Sequence, residues 1–291
     1  RAAAHAKNLR ALIDVSSITF DPHDIWPVVV AAGKGSRAAE SGLNVPKPVA
    51  IVGDQPAIVQ VLQSIREGLG HTRPPVIIVS PGTEAAIREA LHGEDVVFVT
   101  QPHALGTGDA VLTAHRLMSE FTGMSLVVWS TQPVIRPKTF ARTAMLARLF
   151  DSYDMVLPTA FVSHPYAPIR RNESGEIESA TETHLENAET GEFGETNIGM
   201  FILKNQTMFQ VLLELRSRYW DESTGRYNRS RGELGFPNEV INALASRKFG
   251  VFASPFADAR EAQGIKHAED LSRCERFLSE LSEEEQAGTS Q

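Results

Sequence analysis

The chain has a single cysteine, Cys274, among 291 residues. An internal disulfide is therefore impossible, a thiolate metal cluster cannot form, and a reducing cytosolic compartment is the expected setting. Basic residues are scarce: 28 Lys and Arg stand against 36 Asp and Glu, a formal charge of −8. That balance argues against a general polyanion-binding surface. Nucleic acid is not an expected partner, and any local basic cluster becomes more informative. No apolar run approaches the roughly 18 to 20 residues of a membrane span, and the first residues lack the apolar core of a signal peptide, so a membrane is not expected either. Internal repeats are missing too, including any hexapeptide repeat of the parallel β-helix kind. The chain begins with Arg1 rather than Met, as a trimmed chain or a piece of a longer polypeptide would.

What is present is enough apolar material, 42% of residues, to bury one large α/β domain or two small ones. Short apolar runs alternate with helix-length segments through the first half. Strands are predicted at 28–32, 76–79, 96–99, 126–129 and 155–158, with helices near 58–67, 84–91, 109–120 and 139–150. Continuous apolar runs between helices are the pattern of a mostly parallel, doubly wound sheet covered on both faces. Ligands of such sheets sit outside the carboxyl ends of the strands, so the segments after residues 32, 99 and 129 should share one rim. The second half predicts a hairpin (169–171, turn 172–175, 176–179), a strand at 198–203 and a helix near 208–218. A charged, glycine-containing loop at 220–235, a helix from about 238, a short strand at 251–253 and a final helix at 268–281 follow. An alanine-rich leading helix at 2–13 and a Pro22 linker precede this body, which is expected to span 26–281 in halves 26–160 and 161–281. An acidic tail, 282–291, is expected to fray.

Residues 28–37 read V-V-V-A-A-G-K-G-S-R. A buried strand ends abruptly there. Gly33 and Gly35 leave the backbone bare, so turn amides can approach an anion closely, and Lys34 and Arg37 place positive charge beside it. This describes a phosphate cradle; the same residues also describe a plain strand-to-helix turn with two solvated bases. Lys47 follows between Pro46 and Pro48, alone no more than a stiff surface turn. At 101–110, Q-P-H-A-L-G-T-G-D-A follows a strand and opens a helix. Gly106 and Gly108 would let the backbone lie against a flat ring, and the Gln101 amide can both donate to and accept from a base edge. A helix start capped by Thr107 or Asp109 accounts for the same residues.

Taken together at this spacing, A-A-G-K-G-S-R and P-K-P closely resemble the signature of the sugar-1-phosphate nucleotidyltransferases. Q-x-x-x-L-G-T-G-x-A resembles the uracil-reading segment of the bacterial N-acetylglucosamine-1-phosphate uridyltransferases. The resemblance covers residues 26–281. It implies a Rossmann-like, glycosyltransferase-A-like α/β fold with a mixed, mostly parallel sheet and helices on both faces. It also implies joining of a nucleoside triphosphate, UTP by this motif, to a sugar 1-phosphate, with release of pyrophosphate. Ala31, Ala32, Gly33, Lys34, Gly35 and Arg37 would then wrap the triphosphate, and Lys47 would meet phosphate at the reacting centre. Gln101, Leu105, Gly106 and Thr107 would hold the base, while Trp129 closes the strand beside it. Tyr166-Ala167-Pro168-Ile169 resembles the family's G-Y-G-R-I turn, and Ala167, Glu182 and Asn197 would face the sugar.

Two departures concern magnesium. The family carries an aspartate where this chain has Thr131, in W-S-T-Q-P, and an asparagine where it has Lys266, in Q-G-I-K. Both changes remove metal affinity, one by deleting a negative charge and the other by adding a positive one. Lys266 is expected to neutralise phosphate where the metal would stand, with magnesium arriving on the triphosphate or held by another ligand such as Asp109. The alternative is a relative that binds sugar nucleotide without turning it over. With no β-helix repeat, the acetyltransferase half of the bifunctional relatives is not expected in this sequence.

Overall fold

In a computed structural model of the chain, residues 18–183 and 191–289 are described. The expected leading helix at 2–13 lies outside the described residues. Eight strands form the main sheet: β1 (Ile25–Val30), β2 (Val76–Val79), β3 (Val97–Thr100), β4 (Met124–Trp129), β5 (Met155–Ser163), β6 (Phe193–Asn197), β7 (Met200–Lys204) and β8 (Val251–Ser254). Their order is β6-β5-β7-β4-β1-β2-β3, with β8 beside β5. β1 lies parallel to β2 and β4, β2 to β3, and β5 to β8. Only β6 and β7 run against their neighbours. The α/β class and the mixed, mostly parallel sheet therefore match the reading of the sequence.

The apolar runs are continuous because both faces of the sheet are covered. Val28, Val30, Val76, Ile78 and Val127 enter one core with residues of the helices Thr107–Thr113, Asn205–Tyr219 and Pro237–Ala245. Their neighbours Val29, Ala31, Ile77, Val79 and Val128 face the opposite core with the helices Ala57–Leu69 and Pro137–Leu149. Alternate residues of each strand thus serve opposite layers. In register, Val30 stands beside both Ile78 and Trp129, so the segments that leave these strands emerge on one rim.

Several boundaries differ from expectation. The predicted helix at 109–120 is two, Thr107–Thr113 and His115–Met118. β6 was not legible as a strand, and the expected division at residue 160 falls inside β5. The final helix runs from Asp270 to Thr289 instead of ending at 281. Glu283 to Ala287 in this extension are good helix formers, and two of the carboxylates have partners: Glu284 meets Arg260 at 2.7 Å, and Glu285 meets Lys138 at 2.7 Å. None of the described helices is long and apolar enough to cross a membrane.

Candidate functional site

A cleft of about 630 Å³ opens at the carboxyl ends of β1 and β4. Lys34 and Gly35 occupy one wall with Lys47. Gly35 adopts φ +68°, a left-handed turn that favours glycine, and a Cβ there would lie 3.8 Å from the Lys47 Cε. The lysine stem therefore lines up along the glycine loop. Ala31 and Ala32 are buried behind it, and the Ala31 amide donates to the Ile78 carbonyl at 2.8 Å. Arg37 belongs to the helix Ser36–Glu40, and its side chain lies outside the described residues.

At the next wall, Gln101 is 2% exposed yet lines the cleft. Its Nε2 donates to Asp109 Oδ2 at 2.8 Å and to the Gly106 carbonyl at 3.2 Å. Asp109 Oδ1 accepts from the Tyr227 hydroxyl at 2.7 Å. Burial, followed by that carboxylate, pushes the Tyr227 phenol far above its ordinary range, which keeps it a donor. The glycines beside Gln101 serve a purpose other than the one expected of them. A Cβ on Gly106 would stand 2.3 Å from the Leu234 carbonyl oxygen, and one on Gly108 would stand 2.7 Å from that of Gly235. Their bare faces are thus filled by the 234–235 backbone rather than left for a ring. The Gly108 amide donates to Leu234, the Leu234 amide to Leu105, and the Phe236 amide to the Thr107 hydroxyl at 2.8 Å. Thr107 lines the cleft without capping its own helix.

Opposite lies the second half. The hairpin Ile169–Arg171 with Ile177–Ala180 is fastened by Asn242, which bonds both the amide and the carbonyl of Ala180. Just beyond, Glu182 is 7% exposed and lies against Gly235, where a side chain would meet its Oε2 at 2.9 Å. Asn197 donates to the Ala167 carbonyl and accepts from the Gly199 amide, each at 3.2 Å, so it ties the 167 turn to the end of β6. At the floor, the Ile265 amide donates to the Thr131 carbonyl at 2.9 Å. That bond brings Thr131 next to the segment carrying Lys266, the two positions where the resemblance expects metal ligands. The Lys266 ammonium sits 3.5 Å from the centre of the Tyr166 ring, a cation–π contact.

No protein-family profile matches the chain. Curated relatives do: bifunctional protein GlmU of Enterococcus faecalis is 26% identical over 260 residues, covering 87% of this chain and 52% of the relative. GlmU of Streptococcus mutans is 24% identical over 255 residues, 87% of this chain and 51% of the relative. GlmU of Exiguobacterium sibiricum is 30% identical over 207 residues, 69% and 43% respectively. The chain is similar to the sugar-1-phosphate nucleotidyltransferases. It spans about half the length of these relatives.

Most of the residues singled out for their resemblance to the nucleotidyltransferases line the cleft: the 31–35 loop, Lys47, Gln101, Gly106, Thr107, Trp129, Thr131, Ala167, Glu182, Asn197 and Lys266. Two do not. Leu105 packs on the apolar core, since its carbonyl is drawn to Leu234. Asp109 is turned from the cleft with both carboxylate oxygens engaged, which removes it as a metal ligand. Glu195, two residues before Asn197, pairs with Arg171.

Among the described residues no group of three His, Cys, Asp or Glu could hold a metal. The donor set at the expected position, a hydroxyl and an ammonium, does not fit a protein-held magnesium ion. Sequence reasoning missed Gln132, Arg231, Glu233 and Arg273, all of which line the cleft. Gln132 is packed between Gly199 and Gly264, and Arg231 stands at φ +60° beside Gly232. The glycines around them were the signal, each marking a close approach of the backbone.

Proposed function

We propose that the cleft joins a nucleoside triphosphate, UTP first among candidates, to a sugar 1-phosphate to give an NDP-sugar and pyrophosphate. The carrying observation is convergence: the Lys34–Gly35 loop with Lys47, the Gln101 amide, and the Glu182–Asn197 wall all border one cavity. In this reading an oxygen of the sugar phosphate attacks the α-phosphorus in line, the new P–O bond forms, and the α–β bond breaks to release pyrophosphate. Nothing in that reaction needs covalent work by the protein, only positioning and neutralised charge. Lys34 and Lys47 would neutralise the triphosphate, with Arg37 following the loop in the chain, and Lys266 would bring its ammonium to the floor. Gln101 and Gly106 hold the base, and Glu182 and Asn197 orient the sugar. Magnesium belongs to the triphosphate here, because the wall supplies no carboxylate at the expected place. The test is pyrophosphate release from a panel of sugar 1-phosphates with UTP and other triphosphates in the presence of magnesium. Silence across the whole panel sinks the enzyme reading.

The Thr131–Lys266 floor favours a second reading, a module that binds sugar nucleotide without turnover. Such a module binds a UDP-sugar in calorimetry with little dependence on magnesium and yields no product.

A further inference from the structure

The polar pair behind Gln101 has chemistry that the proposed reaction does not use. An amide NH2 has two hydrogens, and both Nε2 contacts of Gln101 run to protein acceptors, Asp109 Oδ2 at 2.8 Å and the Gly106 carbonyl at 3.2 Å. The group left to meet a ligand is the carbonyl oxygen. Turning the amide over would press that oxygen against a carboxylate and a carbonyl at once, three acceptors with no hydrogen among them. Asp109 is itself held: Tyr227 donates to its other oxygen at 2.7 Å, and the Arg216 guanidinium stands 3.9 Å away, so the carboxylate has nowhere to swing. Asp109 and Tyr227 are 6% and 2% exposed, so water does not compete for these bonds.

We propose that Asp109, braced by Tyr227, is a positioning residue that locks the Gln101 amide with its carbonyl oxygen toward the cleft, so the site selects a ring presenting an N–H donor there. The inference rests on the placement of the base at Gln101 made above. Uracil and cytosine make the sharpest contrast. They are matched in size and shape, but uracil offers a donor at ring position 3 and cytosine an acceptor. A rigid acceptor in the wall therefore admits the first and leaves two lone pairs facing each other with the second.

The experiment measures calorimetric affinity for UTP and for CTP in the wild type, in Asp109→Asn and in Tyr227→Phe. The wild type is expected to prefer UTP by about a hundredfold or more, since a mismatched buried acceptor is rejected strongly. In Asp109→Asn the neutral amide can donate to Gln101, which frees the flip. UTP then weakens, CTP strengthens, and the ratio narrows by about tenfold or more. Tyr227→Phe keeps the carboxylate but loses its brace, and is expected to narrow the ratio less. A merely structural Asp109 would weaken both ligands equally, so an unchanged ratio in both variants overturns the proposal while the nucleotide reading stands. Should Asp109→Asn not fold, an unchanged ratio in Tyr227→Phe overturns it alone. Equal wild-type affinity for the two triphosphates overturns it as well. Wild type that binds neither overturns the nucleotide reading and this inference with it.

Discussion

Removing Arg171 should be among the most damaging single changes in the chain. Its guanidinium meets Glu195 in a two-pronged pair, with 2.7 Å contacts to each carboxylate oxygen, and also donates to the carbonyls of Gly175 and Ala253, both at 2.8 Å. Thr159 donates to the same carboxylate. The side chains are only 4% and 5% exposed. Arg171→Ala leaves a buried carboxylate with one hydroxyl partner, a defect of about 3–5 kcal/mol. Against a total stability of about 5–15 kcal/mol, that shifts the folded-to-unfolded ratio by about a hundred- to several-thousandfold. With a urea slope of about 3 kcal/mol/M, the unfolding midpoint falls by about 1–2 M. Urea titration followed by circular dichroism reads it directly. The apolar double change Arg171→Met with Glu195→Leu should regain most of the loss, because it removes both charges together. A loss below about 1 kcal/mol for Arg171→Ala, or a double variant worse than the single, would refute the reasoning.

Three other expectations follow from particular groups. The pair Thr131→Asp with Lys266→Asn should raise magnesium-dependent pyrophosphate release, and no gain would mean that the missing ligands do not limit the site. Cys274 is fully buried, and burial together with Asp270 pushes its thiol up to about 12; maleimide should label it only after denaturation, and rapid labelling of the native protein at pH about 8 would contradict this. Hydrogen bonding to Arg260 pulls the Asp258 carboxyl from 3.8 down to about 2, burial opposing it. A depressed carboxyl stabilises the fold above its unfolded value, and that contribution fades as pH falls from about 4 to about 2. Melting temperatures of wild type and Asp258→Asn should therefore converge over that window, and a constant gap would count against the linkage.

The first half was legible because its strands are buried on both faces: 76–79, V-I-I-V, contains no polar residue to blur the period. β6 was not, since F-G-E-T-N carries no apolar pattern. It forms a strand because β5 continues past Pro158 to Ser163 and offers it an edge, while the Arg171 ion pair satisfies Glu195 in place of an apolar core. The tail at 282–291 looked too charged to fold on its own. Arg260, Arg136 and Lys138, distant in sequence, supply partners to its glutamates. At the cleft, chemistry-bearing residues were found through motif and spacing. What could not be read was which glycine faces are filled by protein: the approach of Leu234 to Gly106 spans 128 positions and depends on a loop whose composition announces only polarity.

The sheet also bears on how this protein can be recombined. β5 begins between β7 and β8 and ends beside β6, so one strand ties together three others of the second half. A chimera that exchanged its second half with a relative's at residue 160 would cut this strand in mid-ladder, leaving Thr159 and Ala160 to pair with a foreign β6. Crossovers placed in the turn at 150–154, or in the loop between β8 and the final helix, would leave β5 and its partners whole. Specificity in this protein is therefore better altered by single residues along the cleft than by swapping segments.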